Sequence, residues 1–189
     1  MTNVLLLHHA QGLTPGVLAF ADGLRVAGHT VRAPDVYDGH TFDDLTSGIA
    51  YADEVGFETV RQRGVAAAEG LPADTVYIGL SLGVMAAQQL AQTRPGAAGA
   101  VFVASCLPVS EFGGWPAGVP VQVHAKSADP IFVDEGDLDA AKELVATAED
   151  AELFLYPGDE HLFLDDSLPA YDPEATAALT ARVLAFLER

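Results

Sequence analysis

Short unbroken apolar runs alternate along this chain with longer stretches whose apolar residues recur at helical spacing. Val4-Leu5-Leu6-Leu7-His8 has the character of a strand buried on both faces, and it stops at the loop His9-Ala10-Gln11-Gly12. Pro15 to Ala27 reads as a helix closed by Gly28, and Thr30 to Ala33 as a strand ended by Pro34-Asp35. Phe42 to Gly70, polar and then alanine-rich, predicts one or two helices. Further strands are expected at Thr75 to Ile78, Ala100 to Val103, Val121 to His124 and Glu152 to Tyr156, and helices at Leu82 to Gln92, Asp137 to Ala148 and Pro173 to Leu187.

Strands that alternate with helices in this way need crossover connections, which predict an α/β fold with a mainly parallel six-stranded sheet covered by helices on both faces. With 189 residues, half of them apolar, and no Pro/Ser-rich linker, a single domain over residues 1–189 is expected. The connection from Val103 to Val121 is too short for a large cap domain. Reactive groups in such sheets gather in the loops beyond the carboxyl ends of the strands.

One such loop carries the sharpest chemical signal. Gly79-Leu80-Ser81-Leu82-Gly83 follows a strand run and opens a helix, the context in which a Gly-x-Ser-x-Gly turn presents a nucleophilic serine. Ser81 is the candidate nucleophile. A serine hydroxyl needs a base within reach and an acid to orient that base, and in this arrangement they follow in the order serine, acid, histidine. Only His124 and His161 follow Ser81. His124 lies inside an apolar run and reads as a core histidine, whereas His161 sits in the loop after the last strand and is the expected base. Asp129, just past the strand Val121 to His124 and followed by Pro130, is the expected acid, with Asp134, Glu135 and Asp137 as rivals; Asp137 is expected to cap or begin the next helix. Oxyanion donors are expected at the Leu82 N–H and at the Ala10 N–H, with His9 or Gln11 next for the second. His9, Gln11, Phe112 and Trp115 are candidate walls of the substrate pocket, although the glycines and proline around Trp115 equally suit a loop anchor.

The charge balance narrows the partners. A formal net charge of −18 opposes nucleic acid and anionic membranes, and the apolar run at the amino terminus is too short to span a bilayer, so a cytoplasmic protein acting on a small molecule is expected. Cys106, the single cysteine, leaves no disulfide within the chain and reads as a packing thiol. The adjacent His8 and His9 have no nearby carboxylate or thiol set, so neither a metal nor a cofactor is expected.

Taken in order, His8-His9-Ala10-Gln11-Gly12, Ala33-Pro34-Asp35-Val36-Tyr37, the Ser81 turn, Asp129-Pro130 and Gly158-Asp159-Glu160-His161 resemble the dienelactone hydrolase family of α/β-hydrolases across almost the whole chain. The resemblance implies an α/β-hydrolase core without a large lid, acting on small esters or lactones. It also brings out two differences. Dienelactone hydrolases proper carry a cysteine nucleophile assisted by a glutamate after the first of these strands, where this chain has Ser81 and His9. They hold a substrate carboxylate with arginine about one helical turn beyond the histidine, where this chain has Leu164, Asp165 and Asp166. The expected activity is therefore hydrolysis of small neutral carboxylic esters or lactones through an acyl-enzyme on Ser81. The alternatives are acyl transfer or perhydrolysis by the same triad, or a noncatalytic homologue that binds a small ligand.

Overall fold

The computed structural model describes all 189 residues. Its strands are β1 (Asn3–Leu7), β2 (Thr30–Arg32), β3 (Thr75–Leu80), β4 (Gly99–Val103), β5 (Val121–Lys126) and β6 (Ala151–Tyr156). They form one sheet in the order β2-β1-β3-β4-β5-β6, and every pairing is parallel. Seven helices connect or follow them: α1 (Pro15–Val26), α2 (Leu45–Val55), α3 (Phe57–Ala66), α4 (Val84–Thr93), α5 (Pro130–Asp134), α6 (Asp137–Thr147) and α7 (Pro173–Leu187). No helix is long and apolar enough to cross a membrane.

The strand period of two divides the apolar residues between two cores. Leu5, Leu7, Tyr77, Phe102 and Val123 point to the face covered by α3, α4, α5 and α6. Val4, Leu6, Ile78 and Val101 point to the face covered by α1 and α7. Each fully buried Leu or Ile on either face stabilises the fold by about 1.5–3 kcal/mol. Continuous apolar runs thus mark strands that bury both faces.

Chain order reverses at β1, which has β2 on one side and β3 on the other. The carboxyl ends of β1 and β3 therefore flank the crevice where open α/β sheets bind ligands. β1 leads into His8–Gly12 and β3 into Ser81.

The structure resolves one open expectation and departs from the expected elements in two places. Phe42–Gly70 holds two helices, α2 and α3, because Gly56 adopts φ 91 and interrupts the α-helical path. The helix after the serine begins as a 3₁₀ turn at Ser81–Gly83, and α4 starts only at Val84. No element is predicted between the strand Val121 to His124 and the helix Asp137 to Ala148, where α5 lies: its cap and proline are legible in sequence, but five residues are too few to show a helical period.

Candidate active site

Ser81 adopts φ 47, in the left-handed region that costs a non-glycine residue about 1–3 kcal/mol. Its flanking glycines make the turn possible. A Cβ on Gly79 would lie 2.6 Å from Val84 Cα, and one on Gly83 would lie 2.3 Å from the Leu7 carbonyl oxygen. The turn therefore packs directly against the start of α4 and the end of β1, with Ser81 half-buried at the rim of the sheet.

Three residues distant in sequence meet there. Ser81 Oγ lies 2.8 Å from His161 Nε2, and His161 Nδ1 lies 2.6 Å from Asp129 Oδ2. Nδ1–H donates to the carboxylate, which leaves the Nε2 lone pair facing the serine hydroxyl. Asp129 is fully buried, and its other oxygen accepts from Ile131 N–H at 3.0 Å, so one side chain caps α5 and orients the histidine. That second contact fixes the aim of the carboxylate, because the capped helix holds Oδ1 in place. The rival Asp134 is exposed at the end of α5.

Asp137 is the first residue of α6 and accepts from Cys106 N–H at 3.3 Å. Burial pushes its carboxyl up to about 6, and burial together with Asp137 pushes the Cys106 thiol up to about 12. His124 is fully buried, stacked on Phe154 and Tyr156, with its ring nitrogens engaged by Tyr156 Oη and Gln122 Oε1.

The loop after β1 is braced from several sides. His8 donates through Nδ1 to the His9 carbonyl and accepts at Nε2 from Val36 N–H, and burial lowers its pKa to about 4. Gln11 N–H donates to His9 Nδ1 at 3.2 Å, and Gly12 N–H to the His9 carbonyl at 3.0 Å. Gln11 Nε2 donates to the Phe42 carbonyl, while Phe42 N–H returns a bond to the Gln11 carbonyl. With Gln11 N–H engaged, Ala10 N–H, which donates to no protein acceptor, is the free donor of that pair.

Beside Ser81 and His161 lies a small cleft walled by Leu80, Val103, Ala104, Leu162 and Leu164, with His9 and Asp165 at its edge. No lysine or arginine lines it. His9 is therefore at the cleft, while the Gln11 side chain is turned to Phe42. Phe112 and Trp115 are not part of the cleft, contrary to the sequence expectation. Trp115 packs edge-on against Phe102 and donates to the Val119 carbonyl, which makes it an anchor for its loop, and Phe112 lies under the Arg61 guanidinium. Leu164 and Asp165 enter the sequence reading only as the stretch without an arginine, and neither they nor Leu80 and Leu162 are assigned there to the cleft. The position of Leu80 and Val103 at strand carboxyl ends was the available signal for the walls. Nothing local in the sequence links His9 to Asp165.

The family model for the dienelactone hydrolase family matches residues 1–189, the full length of the sequence. The chain belongs to the dienelactone hydrolase family. Among solved structures, this family member is similar to a dienelactone hydrolase-like promiscuous phosphotriesterase from metagenomic libraries, with a TM-score of 0.75 and 20% identity over 100% of this chain and 86% of that one. It is also similar to a cold-adapted esterase from an Arctic intertidal metagenomic library, with a TM-score of 0.67 and 19% identity over 98% of this chain and 83% of that one. No curated relative matches the sequence significantly. Within the dienelactone hydrolase fold, this member presents a serine at the elbow and a His9–Asp165 pair at the edge of the cleft.

Proposed function

We propose that this dienelactone hydrolase family member is a serine hydrolase of small neutral carboxylic esters or lactones. The observation that carries the reading is the continuous hydrogen-bonded chain from Ser81 through His161 to Asp129. Ser81 Oγ attacks the ester carbonyl as His161 Nε2 takes its proton, and Asp129 stabilises the resulting imidazolium. The oxyanion accepts from the N–H groups of Leu82 and Ala10, where loss of one donor typically raises the barrier by about 2.7–4 kcal/mol. Collapse returns the proton to the leaving alcohol or, in a lactone, to the freed hydroxyl. Water, deprotonated by His161, then releases the acyl group from Ser81.

The cleft favours a neutral substrate. It offers apolar walls and no cationic side chain, and the nearby Asp165 carboxylate repels an anionic one. Ester hydrolysis, though not the charge of the substrate, is also what two similar structures are named for, one being an esterase and one a phosphotriesterase.

Labelling with a fluorophosphonate tests the reading directly. The folded protein is expected to take one adduct at Ser81, slowed in His161→Ala and absent in Ser81→Ala, with p-nitrophenyl acetate hydrolysis lost in parallel. Equal hydrolysis by wild type and Ser81→Ala would remove Ser81 from the mechanism. Absence of both adduct and turnover in wild type would leave a binding protein.

A further inference from the structure

Two histidine–aspartate pairs stand near Ser81, and the second, His9 with Asp165, lines the cleft but is arranged so that it cannot move a proton to or from substrate. His9 Nδ1 accepts from Gln11 N–H at 3.2 Å, and His9 Nε2–H donates to Asp165 Oδ2 at 2.8 Å. Both ring nitrogens are engaged, and both side chains are buried.

Asp165 is held unusually firmly for a carboxylate in the interior. It accepts from His9, from the Thr14 hydroxyl, and from Ser167 N–H and Oγ at 2.9 and 2.6 Å. Burial by itself would raise its pKa, but the bonds from His9, Ser167 and Thr14 outweigh that and hold it at about 2, ionised at neutral pH. Gly16 leaves the room it needs, since a Cβ there would fall 1.8 Å from Asp165 Oδ1.

We propose that His9 and Asp165 are positioning residues for the oxyanion donor, an assignment that rests on the serine-hydrolase reading. Asp165 fixes the His9 ring in its Nε2–H tautomer, the free Nδ1 captures Gln11 N–H, and the turn is locked with Ala10 N–H unengaged. Asp165 belongs to the same irregular segment as His161, so the pair also ties the loop bearing the base to the loop bearing the donor. A donor misplaced by about 1 Å can cost on the order of 100-fold in rate while ground-state binding changes little.

The two contacts of His9 can be separated by substitution, because an asparagine amide oxygen mimics Nδ1 as acceptor and a glutamine amide N–H mimics Nε2 as donor. In His9→Ala and His9→Gln, kcat for p-nitrophenyl acetate is expected to fall about tenfold or more with KM within about twofold. The inhibition constant of a trifluoromethyl ketone, which places an oxyanion in the same hole, should rise by the factor that kcat/KM loses. His9→Asn, which retains the acceptor for Gln11 N–H, should keep more activity than His9→Gln. A loss carried by KM, an unchanged ketone affinity, or a His9→Gln as active as His9→Asn would overturn the proposal. Should the His9 variants fail to fold, Asp165→Asn provides the same test: a kcat-only loss supports the role and an unchanged kcat refutes it. Failure of the underlying reading looks different, since wild type itself would then take no fluorophosphonate and hydrolyse no ester.

Discussion

Gly48 of α2 lies against the Ala10 carbonyl so closely that a Cβ there would sit 2.1 Å from its oxygen and 2.7 Å from its carbon. The helix thus backs the turn that carries Ala10 N–H, the proposed second oxyanion donor. Gly48→Ala must push α2 and the turn apart, at a cost of about 1–3 kcal/mol in stability, and is expected to lower kcat more than it raises KM. Gly23→Ala in α1 is the control, because nothing lies within 4 Å of its Cβ position. That change should leave kcat intact and raise stability by about 0.5–1 kcal/mol in urea denaturation.

Asp129 and Asp134 are both acidic residues of the segment after β5, but only Asp129 meets His161. An amide at 129 presents a donor where the histidine N–H needs an acceptor, favouring the wrong tautomer. Asp129→Asn should reduce kcat by as much as about 10⁴-fold, whereas Asp134→Asn, at an exposed site, should stay close to wild type. Steady-state kinetics on one ester ranks the two, and the reverse order would transfer the acid role to Asp134.

Acyl chain length is expected to be tightly limited. The cavity beside Ser81 measures about 10 Å³, near the room a single water requires, so its leucine and valine walls accept a methyl group and resist longer chains. p-Nitrophenyl acetate should outrun the butyrate and octanoate esters, and Leu162→Ala should move the preference toward butyrate. An octanoate optimum in wild type would place the acyl chain outside this cleft.

Stability should decline in mild acid for a reason rooted in the core. Burial lowers the pKa of His8 to about 4, and burial with the Arg182 charge lowers that of His124 to about 3, so both stay neutral in the fold while the unfolded chain protonates them below about 6.5. Their stabilisation is complete above that pH and is lost as pH falls toward the folded values. Asp137, raised to about 6, has the opposite sign: the folded state keeps its proton between about 4 and 6. Two protons favouring unfolding against one favouring folding leave a net slope of roughly 1.4 kcal/mol per pH unit between about pH 6 and 4. His124→Gln should flatten this slope in denaturant titrations at several pH values. An unaltered slope would exclude His124 as a source.

The amino-acid sequence by itself determined the strand–helix alternation and the elbow. Val4 to Leu7 must be a strand buried on both faces, because every position is apolar, and Gly79-Leu80-Ser81-Leu82-Gly83 can be read locally because its requirements lie within five residues. His161 and Asp129 were legible from their places after strands, since parallel topology sends all such loops to one rim. Only the tertiary structure decided which groups complete the site. The His9–Asp165 contact spans 156 residues, the Gly48 contact with Ala10 depends on how α2 docks, and the cleft walls come from β3, β4 and the segment after His161. Trp115 shows the converse: an aromatic residue in the right stretch of chain was taken by Phe102 and its own loop. Local propensity and periodicity act over a few residues, whereas hydrogen-bond partners and cavity walls are set by packing between segments that the sequence keeps far apart.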